Sequence, residues 1–468
     1  MRQRSVPVRI DGRALQGAGP ARAAARCLHV GGRRRHTLPD PRGRPGGVRR
    51  RRVHHPLNAS SPRVAVTATD AGFLWGAGAS SVSAEGVAPA ADWSVWERHG
   101  RAPRSGDGAG FARDFRDDLA QLARLGLNSL RLTVEWARLE PAAGRPDSDA
   151  LDRYLDIVDA AAAEGLGVWI TLQHTSLPGW YTDDEGGHAD EVARRRWWAR
   201  HVDRMAEAFD GRAAGWCPID DPIGWAVRGY GLGSRPPGLR SPEATAEAAE
   251  GAMLALHEAC RLLESGAQPV MAVFGAPTLH AAPVEREHAH AAGIETRRWD
   301  ELLWGTWTRA LREGAVEVPG RAPVAAPSFE KGPELVGLSH DHPVGVTEAG
   351  RLVSWPVSAR RSVAGFAPEP AELGEAVARA LDAVPDRGVV VAAHGVATDD
   401  DDWRDTLLDA SLAVVADAAA AGLRGYFHDS AVDGYEWALG FGAPRGLIGR
   451  DRVVKPSAQR VAAAAAAV

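Results

Sequence analysis

From Gly72 onward, short β-rich runs alternate with long alanine-rich amphipathic stretches, and no other feature of the chain restricts its fold so tightly. Parallel strands need long crossover connections, usually helical, so this alternation predicts a parallel sheet with helices packed on it. Eight β-rich runs begin near residues 73–76, 129–133, 167–172, 215–219, 270–274, 335–339, 389–393 and 425–428. Between them, residues 111–125, 149–164, 190–209 and 242–263 repeat apolar side chains at three and four places, with charges opposite. Eight such units predict an α/β fold of the (β/α)₈ or TIM-barrel type, one domain spanning residues 63–468.

In such a barrel the reacting groups stand on the C-terminal ends of the strands, whereas the interior layers are packing. That rule selects Arg131, His174, Asp220, Asp221, His340, Asp341, His342, His394, His428 and Asp429. So many imidazoles and carboxylates arriving from different strands predict a polar pocket. Trp75, Trp136, Trp216 and Phe73 are read as space-filling core. The acidic run 399–402 reads as a solvated loop and helix N-cap.

Composition narrows the function classes. A formal charge of -5 over 468 residues offers no overall basic field for a phosphate backbone, so no nucleic-acid partner is expected. No segment approaches the ~20 uncharged apolar residues of a spanning helix, so no membrane partner is expected either. Cys27, Cys217 and Cys260 are too few and scattered for a disulfide framework, which points to a reducing, cytoplasmic setting. Residues 1–62 are rich in Arg, Gly and Pro and cannot build a core. Their composition reads as a disordered extension, or as upstream sequence behind a misplaced start codon, rather than as a basic binding arm.

Several segments then agree, in order and spacing, with one family. Phe73-Leu74-Trp75-Gly76-Ala77, closing with Glu85-Gly86, resembles FLWGAATASYQIEG. Residues 127–141 resemble GVNSYRFSISWSRILP, and Thr171-Leu172-Gln173-His174 with Leu177-Pro178 and Trp180 resembles TLxHxxLPxW. Gly229-Tyr230-Gly231-Leu232-Gly233 with Pro236-Pro237-Gly238 resembles the loop after the fourth strand, and residues 425–440 resemble GYFYWSLLDNFEWAEGY. The chain thus resembles glycoside hydrolase family 1, the β-glucosidase and β-galactosidase family, over nearly all of residues 72–451.

The resemblance implies a retaining β-glycosidase needing no cofactor, in which one carboxyl protonates the leaving oxygen and a second, about 5 to 5.5 Å away, attacks the anomeric carbon. Both positions depart from that pattern. The acid/base motif WxTxNEP stands here as residues 216–222, placing Asp221 at the glutamate and Asp220 at the asparagine that holds the sugar 2-hydroxyl. The nucleophile motif ITENG stands as residues 391–395, with Ala393 at the nucleophile position, and alanine has no lone pair to attack with. His174, Glu436 and Trp437 match residues that grip the glycone, and Arg131 matches the arginine beneath the nucleophile. Ser83, Thr175, Asp429 and the stretch Leu338-Ser339-His340-Asp341 depart from the family at the reaction centre.

Three functions follow as expectations. The first is a barrel that binds a sugar or β-glycoside through His174, Asp220, Glu436, Trp437, Arg131, His340, Asp341, His394 and Asp429, with retaining hydrolysis impaired. The second is an inverting-like glycosidase using Asp221 with Asp341 or Asp429, about 6.5 to 9.5 Å apart. The third is a metal-dependent enzyme using His340, His394 and His428.

Overall fold

The computed structural model describes residues 72–467. The expectation for residues 1–62 lies outside them. Eight parallel strands form one sheet: β1 (Leu74–Ala79), β2 (Ser129–Thr133), β3 (Gly167–Gln173), β4 (Gly215–Ile219), β5 (Met271–Gly275), β6 (Leu335–Ser339), β7 (Gly388–His394) and β8 (Leu423–His428). In the sheet the order runs β4-β3-β2-β1-β8-β7-β6-β5. Parallel bridges from Trp216 to Val270 and from Asp220 to Val273 join the two edges and close a barrel. The fold is the (β/α)₈ barrel that the alternation predicts.

Strand alternation sorts the side chains. In β7, Val390 and Ala392 belong to an interior cluster with Trp169, Cys217, Met271, Val273, Leu335 and Phe427. Val389 and Val391 face the other way, into the large layer between strands and helices. Glycines make room for the interior aromatics: a Cβ on Gly76 would lie 2.3 Å from the Phe427 ring, and one on Gly215 would lie 2.3 Å from Trp169. Trp75, Trp136 and Trp216 are buried in the strand–helix layer, as their reading as core requires.

The helices carry the caps that their sequences suggest. Ser241 accepts from Ala244 N at 3.2 Å to open Pro242–Leu263, and Asp400 accepts from Trp403 N at 3.1 Å to open Asp401–Ala420. The stretch after Asp190 passes through a π turn, Arg194–Trp198, before Ala199–Ala208. A small sheet of Leu279–Ala281, Val344–Val346 and Leu352–Ser354 is inserted after β5 and β6. Among the described residues no helix is long and apolar enough to cross a membrane. Cys217 and Cys260 are buried free thiols.

Candidate active site

The mouth of the barrel is lined by charged groups held in pairs. Arg131, on β2, donates from Nη1 to Asp220 Oδ2 at 2.5 Å, and His174 Nε2 stands 3.5 Å from the same oxygen. Burial alone would raise the Asp220 carboxyl, but Arg131 and His174 outweigh it and hold the group below its usual range. Burial also lowers His174, so the imidazole is a neutral ring beside an ionised carboxylate.

Asp221 is committed elsewhere. It opens the short helix Pro222–Ala226 in left-handed conformation, φ 49°, rare for a residue with a Cβ. Its Oδ1 accepts from Gly224 N at 3.0 Å and Gly275 N at 2.9 Å, and its Oδ2 accepts from Arg228 Nη1 at 3.1 Å. The carboxylate fills the space above the end of β5, where a Cβ on Gly275 would meet Oδ2 at 2.8 Å. Both oxygens are acceptors here, a role that belongs to a carboxylate rather than to a proton donor.

The opposite side of the mouth is organised by Arg445. Its guanidinium lies 3.1 Å from Asp341 Oδ2, 2.9 Å from Asp429 Oδ2 and 3.8 Å from Glu436 Oε2. Burial would raise Asp341, yet Arg445 prevails and holds it low. Glu436 is different: burial first, then the neighbouring Asp429 and Asp341, push its carboxyl up to about 8 against the pull of Arg445. The backbone around Arg445 is pinned from below. His428 Nε2 bonds the Arg445 carbonyl at 3.0 Å, Arg404 donates to the Pro444 carbonyl, and Gly446 N donates to Asp433.

Unlike His174, the histidines His340, His394 and His428 are buried and make no hydrogen bond to the charged side chains of the mouth, where the sequence reading expected them to join the pocket. His394 bonds the His340 carbonyl through Nδ1 at 2.5 Å and Ser411 Oγ, on the helix Asp401–Ala420, through Nε2 at 3.0 Å. Its ring therefore stands between barrel and helix with both nitrogens engaged. His428 is fully buried, with Tyr426 Oη at 3.2 Å and the Arg445 carbonyl on its other nitrogen. His340 continues the row of Val336 and Leu338, which belong to the strand–helix layer, and its ring lies 6.1 Å from that of His394. Burial drives His340 down to about 3, and neither ring nitrogen has a partner among the described residues. Among the described residues no three His, Cys, Asp or Glu side chains converge to hold a metal ion.

At the nucleophile position, Ala393, the penultimate residue of β7, pairs with Ser339 and brings only a methyl group and a carbonyl, the latter accepting from His340 N at 3.0 Å. Trp437, φ 52°, is 9% exposed. His174 stacks on it at 5.8 Å, Arg235 lies 4.0 Å from its ring centroid, and Trp93 meets it edge-on at 4.9 Å. The indole is thus packed by protein rather than left bare. Buried Arg131 Nε, Asp341 Oδ1, Arg445 Nε and Arg235 Nη1 have no partner among the described residues. Arg228, Arg235 and Arg445 are the mouth residues that sequence reading missed. Arg445 was detectable as the one cation between Glu436 and Arg450, in the loop that must face three acids.

The family model "Glycosyl hydrolase family 1" matches residues 67–304. β-Glucosidase A of Thermotoga maritima is 30% identical over 180 residues, which cover 36% of this chain and 40% of that protein. A β-glycosidase structure from Pyrococcus horikoshii superposes with a TM-score of 0.77 at 25% identity, covering 84% of this chain and 93% of that one. A β-glucosidase structure from Thermotoga maritima, in complex with azafagomine, shares the fold with a TM-score of 0.73 at 20% identity, covering 84% and 97%. The match of the family model over half of the chain, on a barrel of the same fold, shows that the chain belongs to glycosyl hydrolase family 1.

Proposed function

We propose that this barrel is a β-glucosidase-like protein that binds a sugar or β-glycoside in its mouth without the retaining hydrolysis of its family. The observation that carries the loss of hydrolysis is Ala393, a methyl group where a carboxylate must attack. Asp221 supports it, because a carboxylate already accepting from two backbone N–H groups and Arg228 is poorly placed to give a proton. Binding is supported by the four partnerless polar atoms around the mouth, since buried donors and acceptors left empty are costly and sugar hydroxyls satisfy both kinds. Left-handed φ values at Asp221 and Trp437, two mouth residues with side chains, fit a site where backbone strain is retained for use.

The inverting alternative meets the same obstacle at Asp221, and its second carboxylate, Asp341 or Asp429, is engaged by Arg445. A metal centre on His340, His394 and His428 has less support, since His394 and His428 already spend both ring nitrogens on protein partners. The two buried free thiols suit the cytoplasmic setting read from the cysteine count. Intact-mass spectrometry after incubation with an activated 2-fluoro-β-glucoside tests the proposal: no adduct is expected, and a stoichiometric glycosyl adduct would overturn it.

A further inference from the structure

The arginines of the mouth are not equivalent. Arg131 is paired with Asp220, Arg228 with Asp221, and Arg445 with Asp341 and Asp429. Arg235, in the loop after β4, has no carboxylate within 4.0 Å among the described residues, and its Nη1 is buried without a hydrogen-bond partner. What holds it is aromatic: its guanidinium lies 4.0 Å from the centroid of Trp437 and 5.3 Å from that of Trp93. Trp93 stacks in turn on Trp96 at 5.6 Å, and Arg101 lies 4.0 Å over Trp96. Arg101 is also without an ion pair among the described residues, and it packs against Gly238 of the same loop that carries Arg235, where a Cβ would lie 2.6 Å from Nη2.

Two guanidiniums therefore lie on one aromatic cluster with no carboxylate in ion-pair reach among the described residues. Stacking engages the face of a guanidinium and leaves its planar N–H edge for other partners, and that edge matches a carboxylate or phosphate in bidentate fashion. A half-buried cation without a counter-ion is an expensive feature unless a ligand supplies the missing charge. The acid felt most strongly by Arg235 is Glu436, which lies beyond ion-pair distance of it and makes its own contact with Arg445 at 3.8 Å. The loop itself is fixed by backbone bonds, Arg235 N to the Arg228 carbonyl at 3.2 Å and Leu239 N to the Gly229 carbonyl at 2.9 Å.

We propose that the ligand of this mouth is anionic, a sugar or glycoside bearing a carboxylate or phosphate group that Arg235 binds, with Arg101 farther along the same aromatic cluster. This rests on the reading of the mouth as a sugar site and adds the charge of the ligand. The test is calorimetric titration of the full chain with two matched pairs: 4-nitrophenyl β-glucoside against 4-nitrophenyl β-glucuronide, and glucose against glucose 6-phosphate. At least one anionic member should bind roughly tenfold or more tightly than its neutral partner, the size of a charge-assisted hydrogen bond. Whichever pair shows the gap names the group, carboxylate or phosphate. The advantage should shrink with added salt, vanish in Arg235→Gln, survive in part in Arg235→Lys and weaken in Arg101→Gln, which keeps the test open should Arg235→Gln not fold. Equal binding within both pairs, or an advantage unchanged by Arg235→Gln in a protein of normal melting temperature, overturns the anionic ligand and leaves the sugar site standing. Binding of none of the four overturns both.

Discussion

Replacing Arg445 by methionine should destabilise the barrel at neutral pH and less in mild acid. The substitution keeps much of the side-chain volume and removes the guanidinium that lies 3.1 Å from Asp341, 2.9 Å from Asp429 and 3.8 Å from Glu436. Its side chain is only 13% exposed. Leaving fully buried charges without their partner costs about 3–5 kcal/mol, and because the Asp341 and Asp429 side chains are 33% and 26% exposed the loss here is about 1–3 kcal/mol. With about 2.1 cal/mol/K of unfolding entropy per residue and about 400 residues in the domain, that loss lowers Tm by about 1–4 °C. The pH dependence follows from the carboxyls. In the native protein Asp341 is held below its usual range, so its contribution is present above the unfolded pKa and lost as pH falls through the lower folded value. Without Arg445, burial governs Asp341 and raises it, so the variant is penalised as that carboxyl ionises with rising pH. Scanning calorimetry at pH 7 and pH 5 should show a deficit that is larger at the first than at the second. An unchanged Tm at pH 7, or an equal deficit at both, would refute the reading of Arg445 as the counter-charge of the mouth.

Three more outcomes are expected. Glu436, raised from 4.5 to about 8, contributes stability that is present below its unfolded pKa and lost as pH rises through the folded one, so Glu436→Gln should flatten the fall in Tm between about pH 5 and pH 8; a parallel pair of curves would contradict this. Gly275→Ala should lower stability by about 1–3 kcal/mol in a denaturant melt, since its Cβ would press on both Asp221 oxygens, and a neutral result would mean that the cap yields freely. Ala393→Glu alone should leave aryl β-glucoside turnover orders of magnitude below a retaining enzyme, because Asp221 stays bound to Gly224, Gly275 and Arg228; a burst of phenol release would show that proton donation had survived.

The barrel was legible because its signal is repeated: eight β-rich runs fall within a few residues of the strands, and distinct helical periods follow the first four of them. The histidines show where strand-end reasoning stops short. His340 follows Val336 and Leu338 at intervals of two, and His428 follows Tyr426, all on the row that faces the helices. Their neighbours Asp341 and Asp429, one step along the chain, take the inward row and meet Arg445. Period-two alternation was readable in the sequence and separates these pairs. His394 follows a register shift between β7 and β6, and no pattern of residue types announces such a shift. Arg235 escaped notice because an arginine in a Gly/Pro loop reads as solvated surface, and only the fold brings Trp93 and Trp437 to it.

The central claim, a family 1 mouth that holds a glycoside and leaves it whole, is tested most directly by one isothermal titration of the full chain with 4-nitrophenyl β-glucoside and its glucuronide. The account predicts discrete heats that saturate with at least one of them, the signal returning to baseline after each injection. Sustained heat flow from continuing hydrolysis, or no heat with either glycoside, would contradict it.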